Sequence, residues 1–301
     1  MANPIVITPH EKDLGGGFIV RRLLPAAALR AVGPFIFFDH FGPVEHRPTD
    51  NFDVRPHPHI GLATVTYLFE GAMVHSDNLG YVQRIEPGAI NWMTAGRGIA
   101  HSERGPEDLR ATPYRMHGLQ LWCALPLAQE ECAPAFEHTP ASSIPVFTGE
   151  RFTVRVLVGA AFGLYSPVTT FVETLYLDFD LKAGADFTLP PTNLERAIYV
   201  ISGAATVDGN ATNSAANSAA SKGDTIGPLH MAQLTGAPTR ITAAVDTRMV
   251  LIGGEALDAH RHIWWNFVSS RKERIEQAKQ DWKEKRFAPI PGETEFIPLP
   301  E

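Results

Sequence analysis

The sequence predicts an all-β protein: two tandem β-barrels with a C-terminal α-helix. Three observations carry this. Gly61, Gly71, Gly80, Gly88, Gly96 and Gly98 punctuate short runs rich in β-branched and aromatic residues, as a tight barrel requires. Tyr67-Leu68-Phe69-Glu70-Gly71 is echoed by Tyr199-Val200-Ile201-Ser202-Gly203, an offset of 132 residues. Near the end, Ile275, Ala278 and Trp282 fall at helical spacing on one face, with Lys and Glu elsewhere.

A chain of 301 residues fits one large or two ordinary domains, and 44% hydrophobic content is ample for a packed core. The formal net charge of −7 argues against a nucleic-acid or anionic-membrane partner, since either needs a basic face. No apolar run approaches a membrane span and no charged-then-apolar leader is present, so a soluble, cytoplasmic protein is expected. The two cysteines, Cys123 and Cys132, make no disulfide framework and read as idle thiols.

Taken in order, Phe18-Ile19-Val20 suits a strand start and Phe35–Phe38 is a second apolar run. Asp39 and His40 follow it and read as a polar turn tying the strand end; the alternative makes them partners that orient metal-binding imidazoles. His46 and His75 belong to no paired pattern and are expected at the surface. Leu119-Gln120-Leu121-Trp122 alternates and closes the first barrel, with His117 just before it expected away from the pocket. Proline, Ala, Ser and Glu scattered over Pro126 to Pro145 mark a boundary. The expectation is therefore residues 1–130 as an N-terminal barrel with a metal site, and 146–301 as a C-terminal barrel without ligands plus the helix. In that second copy, Leu175, Leu177, Phe179 and Leu181 alternate with polar residues, and His57 and His59 correspond to Leu189 and Pro191. The polar run at 210–221 reads as a hairpin tip. His260-Arg261-His262 is a second His-x-His, but it precedes a core-bound Ile263–Phe267 segment and is not expected to bind metal. Ser270-x-x-Glu273 has the form of a capping box opening the helix.

The chemistry gathers between Arg55 and Arg104. His57 and His59 form one i, i+2 pair, His101 and Glu103 another. Alternate residues of a strand share a face, so each pair projects together. Two such strands facing each other across a barrel would bring three imidazoles and one carboxylate to one point. Arg55, Arg97 and Arg104 flank the ligands, either pairing with Glu103 or an anionic substrate or standing as solvated rim charges. Nitrogen and oxygen donors without thiolate, expanded beyond four, favour Fe(2+), with Mn, Ni, Co, Cu or Zn as alternatives.

These residues reach a family. His-x-His followed by Gly71 resembles the first motif of the cupins, small jelly-roll-like barrels, although Thr64 stands where that motif has a Glu. FFDHFGP at 37–43, RPHPHIGLATVTYLFEG at 55–71 and NWMTAGRGIAHSER at 91–104 resemble the pirin family, whose carboxylate ligand follows the third His by two residues, here Glu103. The resemblance runs from GGGFIVRRLLP to FIPLP. It implies a bicupin with an iron centre held by His57, His59, His101 and Glu103. It also implies a quercetinase-like activity: 2,3-dioxygenolytic opening of a flavonol by O₂ with release of carbon monoxide. Glu103 would then be proton acceptor as well as ligand, and Phe52, Met73, Trp92 and Met93 are candidates for an apolar wall. The rival reading is a non-enzymatic redox sensor whose partner is a transcription factor or a metabolic enzyme.

Overall fold

The computed structural model describes residues 5–14, 17–208 and 223–300; the run at 210–221 lies outside the described residues. The chain up to residue 143 carries β1 (Val6–Ile7), β2 (His10–Asp13), β3 (Ile19–Leu24), β4 (Phe35–His46), β5 (Val54–His59), β6 (Leu62–Glu70), β7 (Met73–Asp77), β8 (Val82–Ile85), β9 (Ile90–Thr94), β10 (Ile99–Arg104), β11 (Tyr114–Ala124) and β12 (Ala135–Thr139). There follow β13 (Val146–Thr148), β14 (Phe152–Val158), β15 (Ala160–Ala161), β16 (Leu164–Tyr165), β17 (Thr174–Leu181), β18 (Ala185–Leu189), β19 (Glu195–Ser202), β20 (Ala205–Asp208), β21 (Asp224–Ile226), β22 (Met231–Leu234), β23 (Thr239–Ala243) and β24 (Thr247–Gly254). A short ribbon, β25 (His262–Trp264) and β26 (Phe267–Ser269), precedes α1 (Lys272–Lys283). The all-β architecture with one C-terminal helix is as the sequence predicts.

Contacts divide the chain into two units. The first, the histidine unit, comprises Glu11–Arg22, Ile36–Ser143 and Leu257–Glu301; the second, the apolar unit, holds the chain up to His10, Leu23–Phe35 and Ile144–Ala256. Each is a seven-stranded sheet with a four-stranded one. In the histidine unit the orders are β12-β9-β6-β11-β4-β3-β2 and β5-β10-β7-β8. In the apolar unit they are β1-β22-β19-β24-β17-β14-β13 and β18-β23-β20-β21. The two orders match strand for strand, so the repeat at offset 132 is a repeat of topology.

Both termini depart from the linear division expected at 126–145. Strand β1 pairs with β22 at the edge of the apolar unit's larger sheet. The helix, expected with the second barrel, belongs to the histidine unit. Its stripe of Ile275, Ala278 and Trp282 needs an apolar face, and it meets Ile60, Ala100, Phe267 and Ile290. The capping box does not form: Arg271 is the N-cap and makes no side-chain cap bond, while Ser270 Oγ donates to Glu130.

In the histidine unit, Val20, Phe41, Leu68 and Met116 of the larger sheet pack with Ile85 of the smaller one, so the two sheets share a core. Gly61 makes the turn between β5 and β6. Its φ is +69°, and a Cβ there would stand 2.0 Å from the Val268 carbonyl oxygen, so only glycine fits. Pro56 and Pro58 lie within a strand, which is tolerated because β5 is at the edge of its sheet and one side of its backbone needs no ladder partner. The tail covers part of that edge, where Ile297 N donates to the Pro56 carbonyl.

Candidate metal centre

The two ligand strands are neighbours in one sheet and do not face each other across the barrel. β5 and β10 pair antiparallel, with His101 directly opposite His57 and Ile99 opposite His59. One nitrogen from each of His57, His59 and His101 lies within 4.8 Å of the other two. All three are buried. Glu103 lies two residues beyond His101 on the same strand, across a register shift, and its carboxylate is outside that 4.8 Å group.

The hydrogen bonds of the three rings show which atoms are left over. His57 Nδ1 donates to the Arg55 carbonyl at 2.9 Å, leaving Nε2. His59 makes a backbone hydrogen bond to Asn266, and its Nδ1 is buried without a partner. His101 Nδ1 meets His75 Nδ1 at 3.3 Å, and its Nε2 is buried without a partner. A buried polar atom with no partner is expensive, and two of them in a group of three close imidazoles call for a common partner. Burial also keeps the rings neutral at pH 7. It lowers the pKa of His57 to about 4 and, with the charge of His57 beside them, drives those of His59 and His101 well below 6.5. Neutral imidazoles with free lone pairs are what a divalent transition ion takes. Burial alone pushes the Glu103 carboxyl the other way, up to about 7.

The surroundings correct several expectations. His75 is buried, not at the surface, and its Nε2 bonds Asp77 Oδ2 at 2.9 Å. His46 is half-buried in a cluster with Phe18, Phe52 and Tyr114. Asp39 and His40 form no turn; they are buried in the middle of β4. Asp39 accepts two bonds from Arg22, at 2.8 and 2.7 Å, and His40 Nε2 meets His117 Nε2 at 2.7 Å. Arg104 pairs with Asp53, Glu293 and Glu295, while Arg55 and Arg97 are exposed.

The aromatic beside the imidazoles is one the sequence did not single out. Trp122 lies edge-on to His59 at 5.3 Å and stacks on Phe37 at 3.9 Å. Met73 packs in the core near Val20 and Phe41, and Phe52 belongs to the His46 cluster, so neither supplies that wall. His75-x-Asp77 repeats the i, i+2 spacing of the other pairs and could have been found by extending the same rule from His-x-His to His-x-Asp.

Comparison with known proteins gives a consistent result. The family model described as Pirin matches residues 17–123, and that of the pirin C-terminal cupin domain matches 176–288. A pirin-like protein of Caulobacter vibrioides is 42% identical over 99% of both chains. A Pseudomonas aeruginosa protein provisionally named a quercetin 2,3-dioxygenase is 36% identical over 92% of this chain and 83% of its own. Among solved structures, quercetin 2,3-dioxygenase from Acinetobacter baumannii superposes with a TM-score of 0.88 at 31% identity, covering 99% of this chain and 95% of that one. A bacterial pirin of Escherichia coli in complex with nickel(II), at 14% identity and a TM-score of 0.63, shares the fold over 85% of this chain and 100% of its own.

Proposed function

The chain belongs to the pirin family, and from that premise we propose that it is a metal-dependent dioxygenase opening flavonol-like substrates with O₂. The observation that carries this is the set of three neutral, buried imidazoles that bring one nitrogen each within 4.8 Å of the others. The likeness to a quercetin 2,3-dioxygenase over nearly the whole chain supports the substrate class.

His57, His59 and His101 would hold the ion, with Glu103, two residues beyond His101 and outside the 4.8 Å group, turning in as a fourth ligand. Iron(II) suits this donor set best, with other divalent transition ions able to enter it. When bound, it supplies open positions for an anionic oxygen and for O₂. Glu103 also serves the substrate. A carboxylate beside the ion is an acceptor placed to take the proton of an enolic hydroxyl. Trp122 and Phe37 give a flat substrate an apolar wall on the His59 side. Both atoms of O₂ enter the opened product, and one ring carbon leaves as carbon monoxide.

The test is iron-loaded protein in an oxygen electrode with a panel of flavonols. Oxygen uptake with stoichiometric carbon monoxide is expected. No uptake across the panel by protein that binds iron would remove the enzyme and leave a metal centre open to a sensing role.

A further inference from the structure

The three imidazoles are oriented by different means. His57 and His59 lean on main-chain groups, at Arg55 and Asn266. His101 leans on a side chain, His75, which leans on another, Asp77. We propose that Asp77 and His75 are positioning residues that fix the tautomer of His101 and so decide which of its nitrogens is offered to a metal. This rests on the metal reading of the triad.

Asp77 is fully buried at the end of β7, opposite His101 on β10. Its Oδ1 accepts two backbone N–H groups, from Leu79 at 2.9 Å and Tyr81 at 3.1 Å. That clamps the carboxylate, with Oδ2 aimed at His75 Nε2, 2.9 Å away. A carboxylate only accepts, so Nε2 of His75 carries the proton. With one proton on the ring, held at Nε2, the Nδ1 of His75 is a bare lone pair. It sits 3.3 Å from Nδ1 of His101, and two lone pairs cannot face each other there. His101 therefore donates from Nδ1 and keeps its lone pair on Nε2, the nitrogen that is buried and otherwise unpartnered. His75 cannot turn away easily, because its ring stacks on Phe136 at 4.2 Å with planes 12° apart.

Asp77→Asn tests the logic with a nearly isosteric change. Oδ1 still has to accept from Leu79 and Tyr81, so the new amide donates to His75 Nε2. His75 must then move its proton to Nδ1, His101 becomes the acceptor, and its proton lands on Nε2, which blocks the metal. His75→Phe keeps a ring on Phe136 and leaves the tautomer of His101 free.

Two measurements decide the matter. Long-range ¹H–¹⁵N correlation spectra of the metal-free wild type should show His101 protonated on Nδ1 and His75 protonated on Nε2; the reverse pattern overturns the relay, and needs no variant to fold. Cobalt(II) affinity, measured by chelator competition, should fall about 10–100-fold in D77N, as for other outer-sphere partners of metal ligands. It should fall less in H75F, and H75F should rescue D77N in the double variant. A purely structural role predicts the opposite order and no rescue, which would also overturn the proposal. A wild type that takes up no cobalt would instead sink the metal reading of the triad, a result distinct from cobalt binding with the wrong tautomers.

Discussion

The two four-stranded sheets share one strand order and differ in what their faces meet. In the apolar unit the strands alternate: in β18, Ala185, Phe187 and Leu189 are buried, while Asp186 and Thr188 are exposed. In register across β18, β23 and β20 stand Phe187, Ile241 and Val207, all part of one apolar core. The corresponding strands of the histidine unit carry His57, His101 and Asp77 in register. There the alternation is lost, because Pro56 through His59 are buried without a break. The inner face holds polar groups that a core would refuse, and the outer face is covered by the helix and tail through Ile60 and Ala100. A sheet whose inner face gives up apolar packing for chemistry thus gains it on the outer face. Ten of the twelve histidines (40, 46, 57, 59, 75, 101, 117, 138, 260 and 262) lie in that unit.

The largest expected effect tests the outer face. Trp282→Ala removes a large side chain from the cluster behind β5 and β10, at a cost of about 3–5 kcal/mol. Hydrogen exchange should show protection lost in β5 and β10 and retained in β18 and β23. Loss in β18 and β23 instead would break the comparison.

Next comes a pair of substitutions on matched strands. Ile241→Ala should lower stability by about 2–5 kcal/mol, read by denaturant melts, and leave cobalt affinity unchanged. His101→Ala should abolish cobalt binding while changing the melt of the metal-free protein far less, since the ring it removes has a buried unpartnered nitrogen. If both substitutions act alike, the division between a packing column and a ligand column fails.

The comparison also has a pH signature. Burial lowers the pKa of His57 to about 4 and of His40 to about 3, and depresses His59 and His101 as well. Their folded pKa values lie below the unfolded 6.5, so the unfolded chain binds protons that the folded one refuses. The stability this gives is present above pH 6.5 and is lost as pH falls towards 4. Glu103 runs the other way: raised to about 7, its contribution weakens as pH rises from 4.5 to 7, which offsets one imidazole. Each uncompensated imidazole is worth on the order of 1.4 kcal/mol per pH unit. The apolar unit has no buried histidine among its described residues. Acidified, metal-free protein should therefore lose exchange protection in β5, β6 and β10 at a higher pH than in β18, β19 and β23. Simultaneous loss would contradict this.

How much of this was legible in the sequence follows from the range of each interaction. The glycine-bounded strands, the repeat and the helix stripe are local patterns, and the chain writes them out directly. The triad was legible for the same reason: His57, His59 and His101 are set by strand periodicity plus one pairing. What periodicity could not give was the partner of each face. The stripe of α1 states that a face is needed, but Ile60 and Ala100 lie more than a hundred residues away. Asp39 and His40 looked like a strand end because polar residues usually mark one; Arg22 and His117 make them affordable inside β4. His75 looked unpaired because its partner Asp77 is not a histidine.

The smallest expected effect concerns the outer faces alone. Ser102 on β10 and Arg240 on β23 occupy corresponding strands and both point away from the core. Ser102 is buried, and its Oγ donates to Glu293 of the tail at 2.8 Å. Arg240 is exposed and pairs with Asp186 across the neighbouring strand. Ser102→Ala removes one donor from a carboxylate that Arg104 continues to hold, so the loss should be about 1 kcal/mol, measurable as a shift in the denaturant midpoint. Arg240→Ala should leave the midpoint where it was, because both charges of an exposed pair stay hydrated when separated. The covered face makes an interior hydrogen bond of Ser102, and the open face leaves Arg240 a surface residue. Equal shifts from the two substitutions would mean that the helix and tail do not seal the sheet they lie on.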